Sequence, residues 1–145
     1  MRHRVVRKRL NRDADHRKAL LMNLSQELIK HGKIETTLVK AKYLKPHFEQ
    51  LITKAKEASD TSDKVRSFNI LKQIREDLMS EEQIKKLINE IGPRYKDING
   101  GYTKIVRTRY RDGDKALMAR IELTQKEVKK EVKKVAKKGV KKDEK

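Results

Sequence analysis

Three arginines, Arg107, Arg109 and Arg111, alternate with other residues along a run of β-forming side chains. In a strand, side chains two positions apart point to the same face and lie about 6.6 Å apart. The spacing therefore predicts a ladder of guanidinium groups that could bind successive phosphates of a nucleic acid. The alternative is a solvated hairpin face, with these arginines paired to Asp112 or Asp114.

A second group of cations lies at the N-terminus, where the first eighteen residues carry eight Lys and Arg against two Asp, a net charge of +6. Arginine pairs bidentately with phosphate and stacks on bases, and arms without a core of their own commonly become ordered on a nucleic acid. We therefore expect a nucleic-acid-binding arm, with a disordered solubility tail as the alternative. The candidate residues of this arm and the following helix turn are Arg2, His3, Arg4, Arg7, Lys8, Arg9, Arg12, His16 and Arg17.

The whole chain also has an excess of positive charge, since its 145 residues include 39 Lys and Arg against 21 Asp and Glu, a net charge of +18. Such a charge is costly unless a polyanion neutralises it, and nucleic acid is the common one. An anionic membrane surface would instead require an amphipathic helix with bulky apolar anchors. Residues 125–145 carry ten lysines against four acidic residues. We expect them to form a flexible tail.

The residue types needed for catalysis or metal binding are scarce. With no cysteine in the chain, disulfides, iron–sulfur clusters and thiolate zinc sites are excluded. The four histidines form no i, i+4 pair, and neither a Ser/His/Asp set nor a phosphate-binding glycine loop before a helix is recognisable. We therefore expect no enzymatic activity, no metal and no cofactor. We also expect no membrane span and no secretory signal.

Apolar residues at helical spacing predict four helices ahead of the arginine ladder. The first is expected to end at Gly32, and the second, over about 39–58, contains Pro46 either as a kink or in its first turn. A fourth follows Ser80 in a capping-box pattern and is expected to end sharply at Gly92-Pro93. The third is predicted from an apolar face formed by Val65, Phe68, Leu71, Ile74 and Leu78.

Alternating residues predict three strands. Ile34–Leu38 is a candidate strand, and Tyr102–Arg111 and Leu117–Leu123 form a hairpin around a tight turn. We expect an α+β fold, a small three-stranded sheet packed against several helices in two layers. The expected organisation is a basic extended arm over 1–13, a single α+β globular domain over 14–124 and a Lys-rich flexible tail over 125–145.

Several short motifs follow one another in order over residues 1–123. They are Met1-Arg2-His3-Arg4, Leu10-Asn11-Arg12, His16-Arg17, Ile34-Glu35-Thr36-Thr37-Leu38, Lys40-Ala41-Lys42, Gly92-Pro93-Arg94, Gly100-Gly101-Tyr102-Thr103, Arg111-Asp112-Gly113-Asp114, Met118-Ala119 and Ile121-Glu122-Leu123. Together these motifs resemble the ribosomal protein L17 family of the bacterial large subunit.

The resemblance implies a structural constituent of the large ribosomal subunit, located in the cytoplasm as part of the ribosome. It implies binding to large-subunit rRNA near the outer opening of the polypeptide exit tunnel, beside neighbouring ribosomal proteins, with no enzymatic activity, cofactor or small-molecule substrate. The family's arm contacts carry over to Arg2, His3, Arg4, Arg12, His16 and Arg17, and its loop and hairpin contacts to Arg94, Tyr102 and Arg111. The predicted RNA-binding set also includes Lys40, which lies in one of these motifs, and Lys104, Arg107 and Arg109 of the predicted hairpin.

Two alternatives from other classes stay open at this point. A nucleoid-type DNA-binding protein would share the charge, although the sequence contains no helix-turn-helix, zinc finger or basic zipper. A basic enzyme of RNA metabolism would need a carboxylate or metal cluster that the sequence does not contain.

Overall fold

The computed structural model describes residues 9–124. The helices are α1 (Ala14–His31), α2 (Leu38–Asp60), α3 (Lys64–Asp77) and α4 (Glu81–Lys86), and the strands are β1 (Lys33–Thr37), β2 (Thr103–Tyr110) and β3 (Leu117–Leu123). Helix α4 continues through a π-helical segment, Leu87–Ile91, into a final turn, Gly92–Arg94. The predicted α+β class with a three-stranded sheet is confirmed.

The sheet is antiparallel throughout, in the order β1-β3-β2, so β3 is the central strand. Alternate residues of β3, namely Ala119, Ile121 and Leu123, are buried and face the helices. Helix α2 contacts all three strands, so it is the main helix covering this face. The opposite face of the sheet carries the polar residues of the alternation and is largely exposed.

Helix α2 forms the centre of the core. Its buried residues recur at i+3, i+4 and i+7 spacing, which defines one apolar face of a helix. They are Ala41, Leu44, Phe48, Leu51, Ile52 and Ala55. Pro46 lies on the exposed side inside the helix and not in its first turn. The carbonyl that loses its intrahelical partner there belongs to exposed Lys42, which water can reach.

Gly32 ends α1 as predicted. It adopts a left-handed conformation with φ of 71°, and its backbone N–H donates to the Leu28 carbonyl over 2.8 Å. Its own carbonyl accepts from the Leu123 backbone N–H at 3.1 Å, so the same residue ends the helix and aligns β1 beside β3.

The predicted core face of the third helix is wrong in part. Helix α3 buries Ile70 and Ile74, whereas Val65 is 69% exposed and Phe68 is 60% exposed. The sequence contains more apolar residues on this helix than one packing partner can cover. Helix α3 packs against α2, and a single helix neighbour buries only a narrow stripe.

The predicted sharp end of the fourth helix at Gly92-Pro93 is also wrong, because the helical path continues to Arg94. Gly92 has a helical φ of −49°, and its N–H donates to the Leu87 carbonyl across the wider π turn. A Cβ at this position would lie 3.4 Å from the carbonyl carbon and oxygen of Ala55 in α2. The glycine therefore allows two helices to approach closely and does not act as a stop signal.

Candidate nucleic-acid interface

The exposed side of the sheet, here called the outer sheet face, carries charges of both signs. Glu122 of the central strand lies between Lys33 and Lys104, and Lys104 Nζ is 2.9 Å from Glu122 Oε1. This hydrogen bond lowers the pKa of Glu122 below its ordinary value, and its partial desolvation opposes the shift. The face is formed by Lys33, Glu35, Lys104, Val106, Arg120 and Glu122.

A β-bulge interrupts the arginine ladder. Arg107 is paired with Ala119, but Tyr110 is paired with Leu117, so three steps along β2 match two along β3. The extra residue shifts the side-chain alternation by one position. Tyr110 therefore shares a face with Arg107, and the prediction that Arg107, Arg109 and Arg111 lie on one face of a regular strand is wrong.

The two residues inside the bulge both point to the outer sheet face, as their contacts with Glu35 of β1 show. Thr108 Oγ1 donates to Glu35 Oε1 over 2.8 Å. Arg109 Nε lies 3.7 Å from the same oxygen, and Arg109 Nη1 lies 4.0 Å from Asp112. The guanidinium of Arg109 therefore lies on the opposite side of the strand from Arg107.

Arg111 begins a tightly bonded hairpin turn. Its guanidinium forms a two-point ion pair with Asp114, with Nε 2.8 Å from Oδ1, as the solvated-hairpin alternative anticipated. Asp114 also accepts from the Ala116 backbone N–H at 3.2 Å. The hydrogen bonds from Arg111 and Ala116 hold the pKa of Asp114 well below its usual range, and the same pair raises the pKa of Arg111.

Three of the cations on the strands have no ion pair within 4 Å among residues 9–124, namely Arg107, Arg120 and Lys33. All three are exposed. Sequence reasoning included Arg107 but missed Arg120 and Lys33. The alternation of polar residues along β3 could have indicated Arg120, whereas Lys33 becomes part of the group only through the pairing of β1 with β3.

The described part of the arm is a turn and not an extended chain. Leu10 and Asn11 have left-handed φ values of 53° and 51°, and the Arg12 N–H donates to the Arg9 carbonyl at 3.0 Å. Arg17 of α1 donates from its guanidinium to the Arg12 carbonyl, which ties this turn to the helix. Arg9, Arg12 and His16 are exposed, and Arg17 is half-buried.

The remaining predicted residues of the arm, Arg2, His3, Arg4, Arg7 and Lys8, lie outside the described residues, as does the predicted tail over 125–145. Their proposed contacts therefore stay predictions.

Three further predicted residues are less accessible. Tyr102 is only 4% exposed, with its ring 5.1 Å from that of Tyr95 in an edge-on arrangement. This burial favours packing over stacking on a base. Arg94 retains 17% side-chain exposure and lies 3.5 Å from Glu90. Lys40 is half-buried in the first turn of α2.

The structure therefore separates the predicted residues into distinct places. Lys40 follows the end of β1 that is paired with Met118, so it lies at the same end of the sheet as the hairpin turn and its arginines. Tyr102 lies at the opposite end of the sheet, next to the start of β2. Arg12 and His16 belong to the N-terminal end of α1, an 18-residue helix whose other end joins β1. These groups can act together only on an extended ligand.

Among residues 9–124, no group of three or more His, Asp or Glu side chains is arranged to hold a metal ion. No helix in the same range has the length and apolar character needed to cross a membrane. What the described surface offers is exposed cations on the strands, in the hairpin turn and at the start of α1.

Comparison with known proteins finds one family model and several relatives that carry the same protein name. The family model described as ribosomal protein L17 matches residues 20–124. A large ribosomal subunit protein bL17 from Sulfurovum sp. (strain NBC37-1) is 50% identical over 123 residues, which cover 85% of this chain and 99% of the relative. The protein of the same name from Thermotoga sp. (strain RQ2) is 44% identical over 125 residues, covering 86% and 95% respectively. The one from Aliarcobacter butzleri is 49% identical over 121 residues, covering 83% and 97%.

Proposed function

Because the chain belongs to the ribosomal protein L17 family, we propose that it binds large-subunit rRNA, mainly through Arg and Lys contacts to phosphates. Members of this family are structural, non-enzymatic components of the large ribosomal subunit, and this chain has that role. It acts within the ribosome in the cytoplasm, with neighbouring ribosomal proteins as further partners. The family resemblance supports a position near the outer opening of the polypeptide exit tunnel, which we include in this proposal.

The observation that carries the RNA contact is the group of exposed cations without ion pairs around the sheet. Arg107 lies on one side of the edge strand β2, and Arg120 lies on the outer sheet face of β3. Unpaired guanidinium groups keep their full capacity for phosphate, because no carboxylate has to be displaced first. Because Arg107 and Arg120 lie on opposite faces beside the exposed edge strand β2, one RNA could contact both by passing around that edge.

The exposed cations at the start of α1 supply a second contact region. Arg9 and Arg12 flank the left-handed turn at Leu10 and Asn11, and they precede the exposed His16. Helix α1, which has 18 residues and rises about 1.5 Å per residue, separates this region from the sheet. Cations at such separate places fit an irregular folded RNA, which is contacted by shape and phosphates, better than they fit one groove of duplex DNA.

The test is binding of the full chain to large-subunit rRNA across salt concentrations. With some 6–10 phosphate contacts, affinity should fall about 10³- to 10⁵-fold between about 50 and 200 mM salt. The double variant Arg107→Gln/Arg120→Gln should bind more weakly and reduce the salt slope by about 2, since each lost phosphate contact removes about 1.

A matched control removes the same charge elsewhere. Arg66→Gln/Arg75→Gln changes two exposed arginines of α3 that are already paired, with Nε of each lying 2.9 Å from Glu57 and Glu81 respectively. This control should bind rRNA like the parent chain. Equal losses in both double variants would indicate a bulk charge effect and contradict the assigned contacts. Preference for duplex DNA in direct competition would favour the nucleoid-type alternative.

A further inference from the structure

We propose that the hairpin carries a stacking site for one unpaired RNA nucleotide, with Tyr110 against the base and Arg107 and Lys115 beside the phosphates. This inference rests on the proposed function, since it adds to RNA binding a specific contact with a base. Tyr110 was not among the residues predicted from the sequence to bind RNA.

Tyr110 is the most exposed aromatic side chain among the described residues, with 66% of its surface accessible. It lines an open concavity of about 490 Å³ together with Arg111, Asp112 and Lys115. A single nucleotide fits in a space of this size. Besides the ring, its lining residues carry two cationic groups and one carboxylate.

The β-bulge determines which side chains surround this ring. Had β2 kept its regular alternation, Arg109 would follow Arg107 on the same face. Because of the extra residue, Tyr110 takes that place, and Arg109 turns towards Glu35. An aromatic ring and an exposed arginine are thus neighbours along one face of the edge strand, as base stacking beside a phosphate contact requires.

The turn on the other side of the ring is held in shape before any ligand binds. The Arg111 N–H donates to the Ala116 carbonyl at 2.9 Å, and the Lys115 N–H donates to the Arg111 carbonyl at 2.8 Å. The ion pair between Arg111 and Asp114 closes the turn. Lys115 has a left-handed φ of 52° and is exposed on the rim of the concavity. A pre-formed turn reduces the entropy lost on binding.

The ligand must be an unpaired nucleotide, because the faces of paired bases are already covered by their neighbours in a helix. Every base has a π face, so this site should accept any of the four bases. Phosphates flanking the base would meet Arg107 on one side and Lys115 on the other.

The experiment compares two probes with the full-length chain. One is a single-stranded oligouridylate of about ten nucleotides, with 2-aminopurine at its centre, and the other is a fully paired, GC-rich RNA duplex of about the same length. Tyr110→Ala should weaken binding of the single strand about 5- to 100-fold and abolish the quenching of 2-aminopurine. Tyr110→Phe should retain both, and duplex binding should be the same for all variants.

Phe68→Ala is the matched control, since Phe68 is a similarly exposed aromatic, 60% accessible, on α3. It should bind the single strand like the parent chain. If Tyr110→Ala binds the single strand as tightly as the parent chain, the stacking site is wrong. It is also wrong if the substitution weakens binding of the single strand and of the duplex equally, because that result would indicate a disturbed hairpin or a role for the ring in protein contacts. If Arg107→Gln/Arg120→Gln still weakens rRNA binding in that case, the proposed function stands; if no salt-dependent rRNA binding occurs, both fail.

Discussion

Individual cations of this protein differ in what they already contact, and this difference decides which are available to a phosphate. Arg111 and Lys104 are each bonded to a carboxylate, whereas Arg107 and Arg120 have no ion pair within 4 Å among the described residues. Exposed ion pairs contribute little to folding stability. In this protein the ion pairs order the hairpin turn and reduce the positive charge that the paired cations present to a ligand. A count of basic residues does not reveal this reduction.

His47 shows how burial affects a single titratable group. It is half-buried on α2, and its Nε2 atom has no hydrogen-bond partner among residues 9–124. Burial lowers the pKa of His47 below 6.5, with nearby Asp77 opposing the shift and Lys54 adding to it. The folded state therefore binds a proton on His47 less readily than the unfolded chain does.

We expect this group to make stability fall in mild acid. The His47 contribution is fully present above its unfolded pKa and is lost as pH falls through the folded value. Between about pH 7.5 and pH 5.5, the free energy of unfolding from urea titration should decrease in the parent chain and decrease less in His47→Gln. His31→Gln, at an exposed position 3.2 Å from Glu27, serves as the control. An identical pH dependence in the parent and His47→Gln would contradict the expectation.

At the scale of elements, the junction between α1 and β1 connects the helical layer to the sheet. Gly32 ends the helix in a left-handed conformation, and its carbonyl pairs with the Leu123 N–H at 3.1 Å. The bulge in β2 plays a comparable part at the other end of the sheet, where it determines which side chains the edge strand presents to solvent. In both places one residue fixes the orientation of a whole element.

Replacement of Gly32 by alanine should destabilise the fold by about 1 kcal/mol, because a Cβ makes the left-handed conformation unfavourable. No atom lies within 4 Å of the added methyl group, so the cost is conformational and not steric crowding. Gly113→Ala is the matched control, since Gly113 is equally open but does not have a left-handed φ. Urea denaturation of both variants measures the difference, and equal midpoints would contradict the explanation.

At the scale of the whole molecule, the core closes with the last strand. Leu123 of β3 is 8% exposed, and the Thr124 N–H donates to the Tyr102 carbonyl at 3.0 Å. The described hydrophobic core draws on residues up to Leu123. These contacts support the proposal that 14–124 is the folded domain, with basic segments on either side of it.

Removal of residues 125–145 should leave the urea midpoint of the domain unchanged and weaken rRNA binding only modestly, because the segment is rich in lysine and has few apolar residues to add to a core. Removal of residues 2–12 should weaken rRNA binding strongly, since it deletes the predicted arm. Both truncations are measured by denaturation and by RNA titration at a fixed salt concentration. Unfolding of the chain that lacks 125–145 would place the domain boundary elsewhere.

Much of the fold could be predicted from local patterns. Gly32 ends its helix as expected, because a stop signal depends on a few neighbouring residues. The three strands were found from alternation, and the family was identified from ordered motifs that the comparisons confirm. Gly92 and Phe68 were misassigned because a local pattern does not show how closely or over how wide a face a helix packs against its neighbour, here α2 for both helices.

The sequence by itself determined the excess positive charge, the types of element, their order and the family. Only the tertiary structure decided which arginines are paired, that Tyr102 is buried and that Tyr110 lies beside Arg107 on one face of β2. The physical reason is that periodicity fixes side-chain directions within one element, whereas a bulge or an ion pair depends on the strand or helix placed opposite it. Compared with a regular strand, Tyr110 and Arg109 lie on opposite faces from those expected, because at the bulge β2 has one residue more than the paired stretch of β3.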